Sequence, residues 1–416
     1  MEVVGSDTGR IYHAGPLVAR AGEGANYRVV GDASILLKIF DVLPSPRSVQ
    51  KLELLTRYSP KPAHAAIPLE TVVDAASREV VGFVQPFFDR AVPLTRALDS
   101  AGRRLLGLSN SLALRVKLCR LLSEAMARLH AADLVMGDVS DSNFLIQRTW
   151  FGKPTMIYVI DCNSLQLTIR TNRGTEFFPS GVATEAYTAP EVQPTDWSVS
   201  ARTIFSDSFG LAVACWLLLF NGSHPFAVAT PRNVDVPPLG ERIEHRLFPY
   251  RPASPLPAGW SQLTLDPSLG ILPNDLREMF FRTFSSDDCR DRPASLEWAQ
   301  AFRNWEAKSM PRLPKNPMSV GHGPLSNRVA NVLDGLKPWM GRGLVLVGIL
   351  VMALFYPRFA PTSKSNPENG SNQPAPLLDQ KSPPGSQSKP PRPRYVDRDL
   401  FPEKLLNPLT PRKGSD

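Results

Sequence analysis

The chain has 416 residues, 43% of them hydrophobic with 20 Phe, which is enough to bury a sizeable core. Its four cysteines, Cys119, Cys162, Cys215 and Cys289, are far apart and form no Cys-x-x-Cys pair; this argues against a zinc ribbon or a disulfide framework and fits a reducing compartment. The net charge of +8 lies in residues 307–342 (+5) and 357–416 (+4), leaving −1 on the first 306 residues, so no basic nucleic-acid-binding domain and no nucleic-acid partner is expected.

In chain order, Ala19-Arg20-Ala21-Gly22-Glu23-Gly24 precedes a hairpin pattern, Arg28-Val29-Val30 and Ile35–Phe40 across Gly31-Asp32. A loop that covers phosphates needs glycines, because only a backbone without Cβ comes close enough. Gly22 and Gly24 are therefore candidate cofactor-binding positions, although an ordinary turn accounts for them more simply. Lys38 stands mid-strand among apolar residues, where an ammonium is costly unless it has partners or snorkels from a sheet edge. Residues 47–58 can form a helix whose only acidic residue is Glu53, beside an apolar stripe of Val49, Leu52 and Leu55. Val81–Phe88 is an apolar strand running into Pro86. Gln85 and Phe87 there are candidates for a hinge over which an adenine lies, and a buried strand explains the segment equally well.

Residues 114–130 show helical periodicity through Cys119, Leu122, Met126 and Leu129, and deliver the chain into Met136-Gly137-Asp138-Val139-Ser140-Asp141-Ser142-Asn143. Phe144-Leu145-Ile146 and Thr155–Ile160 read as strands about a Gly152 turn, and Asp161 ends the second. Asp138, Asn143 and Asp161 thus supply a carboxylate, an amide and a second carboxylate. Phosphoryl transfer uses such a set as a base and two ligands for Mg²⁺ on ATP phosphates. Thr188-Ala189-Pro190-Glu191 follows about 30 residues later. Asp207 then opens an apolar helix, Leu211–Phe220, and Arg292-Pro293 precedes a last helical stretch, Ser295–Trp305.

Beyond residue 306 the composition changes. Residues 307–342 are a basic, Pro-rich linker. Residues 343–356 are uncharged and apolar, a length of about 21 Å as a helix against roughly 30 Å of hydrocarbon. Trp339 and Tyr356 at its ends, with Arg342 and Arg358 able to snorkel, favour a single transmembrane helix over a core helix. Residues 357–416 hold 13 of the 41 prolines and are expected to be disordered. Met1-Glu-Val-Val lacks the basic-then-apolar plan of a signal peptide.

Lys38, Glu53, Asp138, Asn143, Asp161, Ala189-Pro190-Glu191, Asp207 and Arg292 occur in the order found in protein kinases, and residues 10–306 resemble a kinase domain. Gly137-Asp138, Asp161-Cys162-Asn163-Ser164-Leu165-Gln166, Gly222–Phe226 and Arg292–Trp298 resemble the bacterial kinases often fused to helix-hairpin-helix modules. The resemblance implies an α+β, two-lobed protein-kinase-like fold, followed by the transmembrane helix and the disordered tail. It implies ATP with Mg²⁺ or Mn²⁺, with Asp138 as base, Asn143 and Asp161 on the metal, and Lys38 on the phosphates and paired with Glu53. It also implies a Glu191–Arg292 ion pair and an Asp207 that holds the catalytic-loop backbone. The expected function is a Ser/Thr protein kinase acting on a protein substrate. The expected setting is a single-pass membrane protein in contact with lipid, its kinase-like domain cytosolic. A von Willebrand A-type protein and a metal-dependent phosphatase are the other partners implied.

The sequence departs from that pattern at Ala19, Ala21 and Leu36, at Asn163 in place of a glycine, at Gly137 in place of an arginine, and at Ser140 in place of a lysine that neutralises developing charge. These changes keep open a pseudokinase or membrane-anchored scaffold. A small-molecule phosphotransferase of kinase-like fold is a third reading.

Overall fold

In the computed structural model, the described residues are 1–309 except 172–173, 232–233 and 252–255. The expected transmembrane segment 343–356, the tail 357–416 and nearly all of the linker lie outside them. Among the described residues no helix is long and apolar enough to cross a membrane.

The N-terminal region is a closed barrel in the order β1-β2-β3-β4-β6-β5, with β1 Glu2–Gly5, β2 Ile11–Ala21, β3 Gly24–Val29, β4 Asp32–Phe40, β5 Glu70–Val73 and β6 Val80–Pro86. β1 pairs with both β2 and β5, so Glu2–Gly5 belongs to the barrel along with the segment expected from residue 10 on. Alternate residues point to opposite faces. Val3, Tyr12, Val29, Ile35, Leu37, Val72 and Val84 fill the barrel. On β4 and β6, Lys38 lies opposite Phe83 and Leu36 opposite Gln85, on the other face.

Helix α1, Pro46–Arg57, connects β4 to β5; Ser45 caps it by accepting the Ser48 N–H, with Pro46 in its first turn. It buries Lys51, Leu52 and Leu55. The expected stripe therefore turns: Val49 is only partly covered, and a lysine takes a place in the buried face.

After β7, Val92–Pro93, and the short helix α2, Ser100–Leu105, the chain enters α3, Leu112–His130. All four periodic residues, Cys119, Leu122, Met126 and Leu129, are fully buried as expected. β8, Phe144–Arg148, and β9, Pro154–Val159, form the expected hairpin and join β7 in a three-stranded sheet; β10, Leu167–Thr171, and β11, Gly174–Phe178, form another hairpin. Helix α4, Ile204–Leu219, starts with a Thr203–Ser206 capping box and is buried nearly throughout, which accounts for its lack of a polar face. Helix α5, Leu239–Glu244, packs on the segment Glu185–Tyr187; α4 packs on α3 and on α6, Asn274–Ser285, and α7, Ser295–Ser309, packs on α3. Trp216 at the centre of α4 meets Phe220, Phe248, Tyr250, Phe280 and Phe284, each with ring centroids 4.5–5.8 Å away. Each such aromatic buries enough surface to contribute about 1.5–3 kcal/mol. The helical core is thus rigid where the loop containing Asp138 rests on it.

Candidate active site

The loop that follows α3 is fixed from beneath by Asp207 near the start of α4. The Asp207 carboxylate is 1% exposed and accepts the backbone N–H groups of Met136 (2.7 Å) and Gly137 (2.9 Å), as the resemblance implies. It also lies 3.0 Å from His130 Nε2, and His130 Nδ1 lies 2.8 Å from Ser295 Oγ on α7. Gly137 has φ +77°, and a Cβ there would press on Ser180 and approach Arg202 Cγ to 3.3 Å. An arginine at this position is excluded by space as well as by backbone geometry.

Asp138 is held by both oxygens. Its Oδ1 accepts from Thr184 Oγ1 (2.9 Å) and its Oδ2 from Asn143 Nδ2 (3.2 Å), while its backbone carbonyl takes the same amide at 3.0 Å. Burial pushes the Asp138 carboxyl above the usual carboxylate range, and the Thr184 and Asn143 hydrogen bonds pull the other way. A base raised toward neutrality is better matched to taking a hydroxyl proton. The β8–β9 hairpin brings the second carboxylate close, since Ile160 N–H donates to Asn143 O at 2.9 Å. Asp161 itself is left-handed (φ 59°).

Lys38 is 2% exposed, and its Nζ meets Asp161 Oδ1 at 2.8 Å, Asn163 Oδ1 at 3.0 Å and Glu23 Oε2 at 3.5 Å. The Asn163 Nδ2 also donates to Glu23 Oε2 at 3.1 Å. Lys38 is thus brought together with Asp161, but the expected pair with Glu53 does not form. Glu53 lies on the outward side of α1, in a groove with Val49, Gln50, Glu79 and Val80. One residue turns an α-helix by about 100°, so Lys51 and Glu53 point in nearly opposite directions. Lys51 faces inward instead, donating to Ser164 O (3.2 Å) and Pro179 O (2.7 Å).

Gly22 and Glu23 form the tight turn between β2 and β3 and border a cavity of about 310 Å³ with Phe40, Asp41, Lys51 and Leu52. Gly24 belongs to β3, not to a loop. A Cβ on it would land on the Ile39 carbonyl oxygen of β4, so the close approach it serves is between strands. Gln85 is buried on the same face as Lys38. Its Nε2 donates to Asn26 Oδ1 at 3.0 Å, and its Oε1 is a buried acceptor without a hydrogen-bond partner among the described residues. The ring of Phe87 is already covered, with the Arg28 guanidinium 3.8 Å from its centroid, and its N–H donates to Ser34 O.

Glu23, Lys51, Thr184 and Arg202 were not expected at the site. Arg202 is 2% exposed, Gln166 holds its backbone at both N–H (2.6 Å) and C=O (2.8 Å), and its guanidinium has no hydrogen-bond partner among the described residues. Burial lowers its pKa, opposed by Asp207, Asp138 and Glu191. Lys51 alone had a legible signal, being adjacent to Leu52 and four residues before Leu55. Farther out, Arg292 clasps Glu191 with both terminal nitrogens, at 2.7 and 2.6 Å, as the resemblance implies.

The donor set suits a hard cation: one carboxylate, Asp161, one amide oxygen, Asn143, and no soft ligand. Mg²⁺ is usually held by one or two carboxylates together with phosphate oxygens, so these residues fit it.

No family model matches the chain. It is similar to Protein kinase YegI of Escherichia coli strain K12, 26% identical over 304 residues that cover 71% of this chain and 45% of that protein. The protein of the same name from Escherichia coli O157:H7 is 26% identical over 302 residues, with the same coverage. The chain therefore spans less than half the length of these relatives. Among solved structures, a ROP18 kinase domain in complex with AMP-PNP and sucrose covers 74% of this chain and 83% of its own, at TM-score 0.48 and 16% identity. In the order of its polar residues and in its similarity to the two Escherichia coli proteins, the chain resembles protein kinases.

Proposed function

We propose that this chain is an ATP-dependent Ser/Thr protein kinase that transfers the γ-phosphoryl group to a protein hydroxyl. The observation that carries this reading is a pair of hydrogen-bonded couples, Asp138 with Asn143 and Lys38 with Asp161, brought near each other by the Ile160 N–H donating to Asn143 O. In this reading Asp138 accepts the hydroxyl proton while Thr184 and Asn143 orient its carboxylate. Lys38 holds phosphate oxygens, Gly22 lies over them, and Gln85 presents its free acceptor to the adenine. Asn143 and Asp161 would hold Mg²⁺ or Mn²⁺, which when bound neutralises phosphate charge. Phe87, its ring under Arg28, serves the hinge through its backbone carbonyl only. A membrane tether through residues 343–356, with the kinase-like domain cytosolic, belongs to the same proposal, as do von Willebrand A-type and phosphatase partners.

The test is phosphate incorporation into protein by the purified full chain, supplied with labelled ATP and Mg²⁺ or Mn²⁺. Asp138→Ala and Lys38→Ala should each lower transfer by at least about 100-fold. Transfer that survives both substitutions overturns the proposal. A pseudokinase or scaffold is the second reading, favoured by Glu23 occupying Lys38 and Asn163; nucleotide binding without transfer would support it.

A further inference from the structure

We propose that the tip of the β8–β9 hairpin, together with the end of α2, is a seat for an anionic lipid bilayer. Three large apolar side chains stand almost fully in water there: Leu105 (89% exposed), Trp150 (81%) and Phe151 (87%). Single exposed apolar residues are ordinary, but three gathered at one place mark a contact surface. They are gathered by structure. The hairpin turn is closed by Thr149 N–H donating to Lys153 O at 2.9 Å. Arg148 Nη1 donates to Leu106 O at 2.5 Å, and a Cβ on Gly152 would lie 3.7 Å from Gly107 O. The aromatic tip of the hairpin therefore abuts the tip that carries Leu105.

Charge identifies the occupant. The Arg90 guanidinium stands 4.9 Å from the Trp150 ring centroid, and Arg104 and Lys153 are exposed beside the apolar residues. Asp89 lies 3.4 Å from Arg90, and Glu306, which shares a cavity with Lys153, is already paired with Arg120. Trp and Phe flanked by Lys and Arg are the side chains that settle at a bilayer interface, rings at the headgroup level and cations on anionic lipid. Leu105, Trp150 and Phe151 stand in water with little protein around them, which suits a fluid surface better than a folded partner.

The same hairpin carries Asn143 at one root and Asp161 at the other, so its tip is rigidly connected to the candidate active site. At about 3.3 Å per residue, a five-residue strand places that site roughly 17 Å from the lipid contact.

The experiment takes the full chain with vesicles of phosphatidylcholine alone or mixed with phosphatidylserine, the acyl chains brominated to quench buried tryptophan. The chain has seven Trp, so Trp150→Phe isolates the contribution of this one. The expected result is strong quenching of wild type on the mixed vesicles, less in Trp150→Phe, the difference shrinking as salt screens the headgroups over about 10 Å at 0.1 M. Combining Leu105→Ser, Trp150→Ser and Phe151→Ser should weaken the tip's occupancy at least about tenfold, and with it the shielding of Lys153 from a soluble amine-acylating reagent on those vesicles. Equal quenching of wild type and Trp150→Phe overturns the proposal, and it is the result a soluble protein partner at this tip would give. A Trp150 signal of the same size on phosphatidylcholine alone also overturns it.

Discussion

The helical half of the molecule and the barrel half treat the same resemblance differently. In the helical half, Glu191–Arg292 and Asp207 on the Met136 and Gly137 amides are formed as the order of the residues implies. In the barrel half, Lys38 is in position but its carboxylate partners are Glu23 and Asp161, while Glu53 faces outward. The physical difference is the support behind each contact. Asp207 and Arg292 project from a core packed with fully buried aromatics, where a helix has one rotation that fits. Helix α1 buries Leu52 and Leu55 and little else apolar, so a rotation that turns Lys51 inward costs little packing. Motif order transfers a contact where packing fixes both partners, and transfers only a position where it does not.

That contrast can be broken most sharply at Arg292. Its guanidinium side chain is fully buried against Glu191, whose carboxyl burial pushes up and Arg292 pulls below the usual range. Arg292→Ala should lower unfolding free energy by about 3 kcal/mol, read from denaturant midpoints, because a carboxylate is left without its partner. A loss below about 1 kcal/mol would mean the helical half is no more determined than the barrel.

A second, smaller effect belongs to Lys51. Burial pushes its amine down to about 8, with Glu23 and Asp161 opposing. Below that pH the folded and unfolded chains both carry the proton. Between about 8 and the unfolded value near 10.4, only the unfolded chain does, so stability must rise with pH across that window. The stability of wild type relative to Lys51→Met should increase by on the order of 2 kcal/mol from pH 8 to pH 10. A flat difference would show that Lys51 is not enclosed.

The smallest effect compares two carboxylates. Glu23→Gln should tighten ATP about threefold, since a half-exposed charge facing Lys38 and the incoming phosphates is worth under about 1 kcal/mol. Glu53→Gln should leave ATP affinity within about twofold. Titration calorimetry of the two variants decides whether Glu23 or Glu53 is the carboxylate that Lys38 senses.

What was legible in the sequence follows the same division. Helical periodicity found α3, and an uninterrupted apolar run found α4, because burial writes itself into residue type. The Asp138, Asn143 and Asp161 spacing carried through, since a short hairpin leaves little freedom between its roots. Strand β1 escaped notice because four residues give no period to count. The turn at Gly22-Glu23 is the simpler of the two readings its glycines allow, and short glycine spacing alone does not separate a turn from a phosphate-covering loop. Thr184 reaches Asp138, and Arg202 lines a small cavity with Asp138, from irregular segments, and no periodic pattern marks which of their residues turn inward.

Gly24 has a consequence for how such chains are compared. The Ile39 carbonyl leaves no room for a methyl group on it, so any side chain there would part β3 from β4 with or without a nucleotide. Ala19 pairs with Asn26 across the β2–β3 ladder and carries its methyl group there. A tally of glycines in this stretch therefore measures the tolerance of a sheet and is silent about ligand: a relative that had lost every trace of phosphate binding would still be obliged to keep this one.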